Sequence, residues 1–265
     1  MKKILSLALS LLMILGMCTV LSSCGDDNKL TMATNAAFPP YEYKDGDTIV
    51  GIDAEIAAKI AEKLGMELEI IDTEFGSIVG GVETGKYDMG MAGMTVTEER
   101  LKSVNFSASY AKGVQSVIVL ENSVYKSYED FYTGYDADGD PTGVIEGLKI
   151  GVQQDTTGDI YSSDVPKKWG FGEESVIRYK TGADAVSALV SVNVTAVIID
   201  NEPAKSYVAA NEGLKILDTT YVEEDYAICV AKENTELLEN INKALAELTA
   251  DGTIPAIIEK YIPSK

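Results

Sequence analysis

The hydrophobic pattern of the chain alternates short apolar runs with helical periodicity. Residues 30–34 and 66–71 are apolar runs of strand length. Between them, residues 53–64 carry apolar side chains at intervals of four residues, and Gly65 follows. This spacing places the apolar side chains on one helix face, and glycine is a typical residue after a helix end. The order strand, helix, strand predicts an α/β fold.

Two later segments repeat one arrangement of helix, tight turn and strand. Residues 78–84 are helical in pattern and lead into a strand at 87–93; residues 183–190 lead likewise into a strand at 194–200. Both strands end in polar or glycine residues. Ligands of open α/β sheets bind beyond the carboxyl ends of the strands. Two such ends therefore predict two lobes that share one ligand.

The lobes are predicted to be discontinuous in sequence. Residues 114–120 and 226–230 are strand-like runs that we place next to the crossovers between lobes. The first lobe then consists of residues 28–114 plus 223–265, and the second of residues 115–222. Helices predicted at 235–249 and 254–261 pack back on the first lobe.

The N-terminal segment is typical of a bacterial lipoprotein signal. Lys2 and Lys3 precede an apolar run over residues 4–21, and small residues stand directly before Cys24. This layout predicts cleavage after residue 23, a lipid such as palmitate on Cys24, and a tether over residues 24–29. The alternative is an uncleaved membrane helix, because a bilayer span needs about 18 apolar residues. Glycine and charge return directly after Cys24, which favours the signal.

Charge excludes several classes of partner. Removal of residues 1–23 removes two lysines, which leaves 20 basic residues against 42 acidic ones and a net charge of −22. A nucleic-acid-binding protein needs the opposite sign. We interpret the acidic residues as a solvated surface.

Histidine and cysteine usage limits the chemistry. The chain has no histidine, which excludes Ser-His-Asp and Cys-His catalysis and His-ligated zinc. Of three cysteines, Cys18 leaves with the signal and Cys24 carries the lipid. Cys229 stands alone in an apolar stretch and is predicted to be a buried small hydrophobe. No intramolecular disulfide is available.

An acidic stretch within residues 125–147 resembles a calcium loop only in part. Acids occur at positions 136, 138 and 140, but Pro141 stands where such a loop needs glycine and Gly147 where it needs glutamate. The segment is therefore predicted to be an acidic surface insertion, with no metal.

Three motifs together resemble one known family. They are residues 33–43 with 51–53, residues 87–100 and residues 150–158, in this order along the chain. They resemble the polar amino-acid-binding family of bacterial solute-binding proteins, the extracytoplasmic receptors of ABC importers. The resemblance implies a two-lobed periplasmic-binding-protein-like fold with a hinge. It also implies a polar L-amino acid in the interlobe cleft, a membrane permease as partner, a monomer, no cofactor and no enzymatic step.

Arg100 is the predicted carboxylate clamp. A planar guanidinium holds a carboxylate through two parallel hydrogen bonds, and the chain has only two arginines. The alternative from spacing is a surface ion pair with Glu98 or Glu99. The resemblance implies that Arg100 binds the ligand carboxylate, with Thr95 and Thr157 as further contacts.

Two acids near these motifs are predicted to cap helices. Asp155 stands where the family usually has glycine, so it either caps the following helix or weakens carboxylate binding, and we favour the cap. Asp53 is likewise interpreted as a helix N-cap rather than a ligand contact.

Asp200 is the predicted partner of the ligand's α-ammonium group. It ends an apolar strand, and the alternative is an N-cap of the helix that begins near Pro203. The resemblance implies that Asp200 binds the ammonium group and that Ala92 and Gly93 add contacts to it.

The side-chain pocket is predicted to be aromatic and polar. Phe38 and Phe75 match positions that sandwich the ligand's side chain, although either is also suited to the core. Asn35 stands where several relatives carry aspartate, and Gln153 adds a second amide. These amides favour a polar neutral ligand without excluding lysine or arginine.

Two other functions stay open. A few relatives of this fold are dehydratases of cyclic carboxylates, which need an acid poised in the cleft. Retention of Asp200 and the absence of an additional motif acid favour the receptor. A sensor that docks a signalling partner is not separated from an import receptor by the sequence.

Overall fold

Two β-sheets flanked by helices organise the chain in a computed structural model that describes residues 28–263. The strands are β1 Lys29–Thr34, β2 Ala37–Phe38, β3 Glu42–Asp45, β4 Thr48–Val50, β5 Glu67–Asp72, β6 Met89–Gly90, β7 Val104–Phe106, β8 Ala111–Leu120, β9 Tyr132–Tyr135, β10 Pro141–Val144, β11 Ile150–Gln153, β12 Val176–Tyr179, β13 Ala196–Asp200, β14 Leu214–Ile216, β15 Val222–Tyr226 and β16 Cys229–Ala231. The α-helices are α1 Ile52–Leu64, α2 Ile78–Glu83, α3 Arg100–Ser103, α4 Thr157–Ser163, α5 Gly182–Val190, α6 Asn201–Ala210, α7 Thr235–Ala250 and α8 Thr253–Tyr261. Short 3-10 helices lie at Phe75–Ser77, Tyr128–Phe131, Pro166–Lys168 and Glu173–Ser175.

The first sheet has the strand order β5-β1-β6-β16-β7. β1 is parallel to β5 and β6, whereas β16 is antiparallel to β6 and β7. The adjacent residues Met32 and Ala33 in β1 point to opposite faces and are both fully buried, as expected for a parallel strand covered on both faces. The carboxyl ends of β1 and β6 therefore meet at one edge of the sheet.

The second sheet has the order β12-β11-β13-β8-β14, and β15 also pairs with β8. β11 is parallel to β12 and β13, and β8 runs antiparallel to β13, β14 and β15. All five residues of β13 are buried. The predicted α/β class and the two sheets are confirmed.

The chain passes between the sheets twice, at residues 107–110 and 227–228, and the two passages lie side by side. The Tyr110 N–H donates to the Tyr226 carbonyl at 3.0 Å, and the Ser107 N–H donates to the Ile228 carbonyl at 2.9 Å. The single strand predicted over 226–230 is wrong, because it is divided between β15 and β16 where the chain changes sheet. The predicted lobe boundaries stay a prediction.

Helix α1 forms where the apolar periodicity predicts it. Ile56 and Ile60 are fully buried, and Gly65 ends the helix in the left-handed conformation with φ 70°. The predicted N-cap at Asp53 is wrong, since Gly51 occupies that position and Asp53 lies in the first turn. A side chain at Gly51 would lie 2.2 Å from the Tyr41 carbonyl oxygen, so only glycine fits there.

Three further predictions fall on the remaining segments. The strand expected at 87–93 is short, because only Met89 and Gly90 pair in the sheet. The acidic stretch forms the turn between β9 and β10, where Asp136 is ion-paired with Lys167 at 2.9 Å. Within residues 28–263, no helix combines the length and apolarity that crossing a bilayer requires. The signal and Cys24 lie outside the described residues.

Gly90→Ala is expected to lower the free energy of unfolding by about 1–3 kcal/mol, the usual cost of overpacking a core. A Cβ at Gly90 would lie 2.5 Å from Ile78 Cγ2 and 2.6 Å from Cys229 Sγ. Gly80→Ala is the matched control, because nothing lies within 4 Å of an added Cβ and position 80 is within helix α2. Urea unfolding of both variants provides the measurement, and equal stabilities would contradict this packing.

Candidate functional site

One cavity lies where the strand ends of the two sheets face each other. The space between its lining atoms, including space open to solvent, is about 320 Å³. All ten residues predicted to bind the ligand line it, together with two that sequence analysis missed. The complete lining is Asn35, Phe38, Glu42, Phe75, Ala92, Gly93, Thr95, Arg100, Gln153, Thr156, Thr157 and Asp200. Which of them bind ligand stays a prediction.

Arg100 opens helix α3 and is turned into the cavity. The Thr97 hydroxyl accepts its backbone N–H at 3.2 Å, which fixes the start of the helix. The side chain is only 8% exposed, so a surface ion pair with Glu98 or Glu99 is wrong. Glu99 is paired with Lys102 instead.

The guanidinium of Arg100 is held by neutral groups. Nη1 donates to the Thr95 carbonyl at 2.7 Å, and Nη2 donates to the Asp155 carbonyl at 3.1 Å. The Phe75 ring lies beneath it, 5.2 Å from the guanidinium carbon. Among residues 28–263, no carboxylate forms an ion pair with Arg100. Burial lowers the pKa of Arg100 from its ordinary value.

Asp200 faces the cavity at the end of β13 and is 8% exposed. Gln115 Nε2 donates to its Oδ2 at 2.8 Å, and the Tyr226 hydroxyl donates to its Oδ1. Asp200 occupies the N-cap position of α6, but its side chain makes no capping bond. Burial, followed by the charge of Glu224, raises the pKa of Asp200 to about 7.

Gly93 is fixed by its neighbours in the first sheet. It has φ 50°, and an added Cβ would lie 2.7 Å from the Phe38 ring. Its N–H donates to Asp53 Oδ2 at 2.8 Å, and the Tyr110 hydroxyl donates to the same oxygen at 2.9 Å. Asp53 therefore holds the backbone of Gly93 in place through this N–H. Only the carbonyl of Gly93 is available to an ammonium group.

The cap predicted for Asp155 is wrong, because Thr156 is the N-cap of α4 and its hydroxyl accepts the Asp159 N–H at 3.4 Å. Asp155 has φ 64°, a left-handed conformation that favours glycine. This geometry accounts for the glycine usual at that position in the family. Thr157 follows as the first residue of α4 and is buried.

The cavity wall also contains two amides and one unpredicted acid. Asn35 Nδ2 donates to the Thr73 carbonyl at 2.8 Å, and Gln153 Nε2 donates to Asn35 Oδ1 at 2.9 Å. Glu42 is 1% exposed. The expectation that the cleft has no additional acid is therefore wrong. A single acid between aromatic residues in the motif at 41–43 was the available signal.

Glu42 is paired with a second buried acid. Its Oε2 and Asp53 Oδ1 have no other hydrogen-bond partner among the described residues. Burial, followed by the charge of Asp53 and a hydrogen bond to it, raises the pKa of Glu42 well above its usual range. Burial also raises the pKa of Asp53 to about 6. A proton on Glu42 thus satisfies both oxygens and keeps this pair of acids from carrying two charges.

Direct bonds join the two sides of the cavity. Besides the Arg100 and Gln153 contacts, they include two outer pairs: Tyr207 hydroxyl to Ala37 carbonyl at 2.7 Å and Lys180 to Glu74 at 2.8 Å. The cavity is therefore closed by protein contacts as well as by shape.

Comparison with known proteins identifies the family. Residues 30–264 match the profile of the bacterial extracellular solute-binding proteins, family 3. The chain belongs to this family. As a solute-binding protein it acts outside the cytoplasm, and the predicted class and two-lobed fold are confirmed.

Two curated relatives illustrate the family. This solute-binding protein is 29% identical to the arginine-binding extracellular protein ArtP of Bacillus subtilis, over 91% of this chain and 92% of that one. It is 26% identical to the ABC transporter arginine-binding protein 1 of Escherichia coli, over 89% and 91%.

Two solved structures show relatives of this chain with amino acids bound. An ancestral arginine-binding protein bound to arginine is 38% identical with a TM-score of 0.77, over 89% of this chain and 98% of that one. The same kind of ancestral protein bound to glutamine is 37% identical with a TM-score of 0.77, over 89% and 99%. All of these relatives are named as binding proteins rather than enzymes.

Proposed function

We propose that this solute-binding protein captures a free polar L-amino acid and delivers it to an ABC import permease. The observation that carries the proposal is the buried Arg100 guanidinium, which forms no ion pair with a carboxylate of residues 28–263 and lines the same cavity as the Asp200 carboxylate. A zwitterion has one charge of each sign. The cavity therefore offers each charged end of an amino acid an opposite charge.

The backbone of the ligand is expected to lie between the two sheets. Arg100 holds the carboxylate in a bidentate manner, with Thr95 and Thr157 as further donors. Asp200 pairs with the ammonium group, and the carbonyls of Ala92 and Gly93 complete its contacts. Because these groups come from both sheets, ligand favours the closed arrangement.

The side chain of the ligand is expected to be polar and to donate N–H bonds. Phe38 and Phe75 supply aromatic faces, while Glu42, Asn35 and Gln153 supply oxygen acceptors from the cavity wall. An arginine guanidinium or a glutamine amide matches this chemistry, and related proteins are named as binding one or both. Glu42 adds a carboxyl that makes a cationic side chain acceptable despite the neutral Asn35.

We propose binding without a chemical step. A dehydratase needs an acid poised over the substrate. Here Asp200 is matched to the ammonium group and Glu42 to the side chain, so both cavity acids have roles in recognition. Import is favoured over sensing because a relative is named as part of an ABC transporter.

We also propose that the chain is a lipid-anchored monomer, tethered through Cys24 to the outer face of the cell membrane. The signal layout of residues 1–23 supports the anchor. A tether within reach of the permease raises the effective concentration of the receptor without tight docking.

Arg100→Ala is expected to weaken amino-acid binding about 100-fold or more, because it removes a buried pair of charge-assisted hydrogen bonds. A thermal-shift screen of the amino acids selects the ligand. Calorimetric titration of the purified chain then measures affinity, and the amino acid should be recovered chemically unchanged.

Lys102→Ala is the matched control, because Lys102 is a cation of the same helix that is 69% exposed. It should leave affinity unaltered. Full affinity in Arg100→Ala would refute the assigned carboxylate site, and consumption of the ligand would refute a pure receptor.

Glu42→Gln is expected to weaken L-arginine binding about 10- to 100-fold, since the guanidinium displaces the proton of Glu42 and the resulting charge-assisted contact is lost in the variant. Binding of L-glutamine should change less than about threefold, because an amide pairs with either side chain. Parallel titrations with the two amino acids measure the difference. Equal losses of affinity for both amino acids would show that Glu42 does not distinguish between their side chains.

Cys24→Ser is expected to abolish lipid attachment. Metabolic labelling with radioactive palmitate should mark the unaltered chain in a bacterial membrane fraction and leave the variant unlabelled and released. Cys229→Ser serves as the control, because that thiol is fully buried. Retained labelling of Cys24→Ser would exclude the anchor.

A further inference from the structure

Glu224 is a buried acid that the binding scheme leaves unused. It lies on β15, one of the two paired strands adjacent to the passages between the sheets, opposite Gly113 of β8. It is 5% exposed, whereas its neighbours Glu223 and Asp225 on the same strand are exposed. It does not line the ligand cavity.

Gln115 connects Glu224 to the predicted ammonium site. Its Nε2 donates to Asp200 Oδ2 at 2.8 Å and to Glu224 Oε2 at 2.9 Å. The two hydrogens of this amide nitrogen are thus divided between two buried carboxyl groups. A weaker contact of 3.4 Å reaches the Thr157 hydroxyl. Glu224 Oε1 has no hydrogen-bond partner within residues 28–263.

Two carboxylates around one nitrogen cannot both carry charge in a buried site without mutual repulsion. The charged or titratable groups around Glu224 are Arg100 from α3, Tyr161 from α4, Asp200 from β13 and Tyr226 from β15. The only cation among them is Arg100, which the ligand carboxylate is expected to engage. The arriving ammonium group adds positive charge beside Asp200, which favours the ionised form of that acid.

We propose that Glu224 is a positioning residue for the ammonium site, which holds Asp200 through Gln115 and makes amino-acid capture release a proton. The inference rests on the proposed function and goes beyond it, because it assigns a role to a residue outside the cavity and couples binding to pH.

The direction in which affinity changes with pH follows from the protonation state of Asp200. Burial and then the charge of Glu224 raise the pKa of Asp200 to about 7. Asp200 is therefore partly protonated at neutral pH before ligand arrives and ionised afterwards. Binding should release about half a proton at pH 7, and affinity should fall by about tenfold per pH unit well below pH 7.

Glu224→Gln tests the proposal, because the amide keeps the shape and an acceptor for Gln115 but removes the charge. Titration calorimetry with L-glutamine, in phosphate and in Tris at pH 7, counts the protons released; L-arginine is the second probe. The variant should release fewer than half as many protons as the unaltered chain. Its affinity profile should move about one pH unit toward acid.

Glu223→Gln is the matched control, because it removes the same charge from an exposed neighbour. It should behave as the unaltered chain. Thermal unfolding verifies that each variant is folded, and the count in the unaltered chain is informative even if Glu224→Gln does not fold.

The outcomes separate the two proposals. If no amino acid binds the unaltered chain, the proposed function fails. If an amino acid binds without proton release, or if Glu224→Gln and the unaltered chain share one profile, only the role of Glu224 is overturned.

Discussion

A buried guanidinium without a carboxylate partner is the constraint on which the site depends. Isolated charges are costly to bury, and among the described residues the direct contacts of the Arg100 guanidinium are the carbonyls of Thr95 and Asp155 and the Phe75 ring. Neutral acceptors reduce the cost without neutralising the charge. A ligand carboxylate completes the electrostatics, which explains why one arginine among many surface lysines is held in the cavity.

Burying a charge is also costly for the acids around the cavity, and there protonation reduces the cost. Burial raises the pKa of Glu42, Asp53 and Asp200, so protons rather than cations keep the ligand-free site from accumulating negative charge. Each acid then has a separate task. Asp53 fixes the backbone at Gly93, Asp200 is the proposed partner of the ammonium group, and Glu42 is the proposed partner of the ligand's side chain.

Contacts within the protein stabilise the closed cavity, and ligand contacts are expected to add to them. Gln153 bonds Asn35 across the cavity, and the Tyr207 hydroxyl of helix α6 donates to the Ala37 carbonyl of β2. These contacts favour the closed arrangement before any ligand contributes. Ligand affinity then depends on how much the charges at Arg100 and Asp200 add to contacts that already exist.

The sequence by itself determined the family, the α/β class and ten of the twelve residues that line the cavity, because ordered motifs carry that information along the chain. Local pattern also located helix α1, since burial of one face requires a fixed spacing. Local pattern did not determine four features: the division of the strand over 226–230, the conformations at Asp53 and Asp155, and the position of Glu42 in the cavity. These features depend on which strand ends meet.

Only the tertiary structure decided the network behind the cavity. Gln115 meets Asp200 across 85 positions and Glu224 across 109 positions of the sequence. A hydrogen bond between such distant residues follows from the pairing of β8 with β13 and β15, and nothing in the neighbouring residues encodes it. The protonation states of these buried acids also depend on the tertiary structure. A pKa depends on burial and nearby charge, and both arise only when the sheets are assembled.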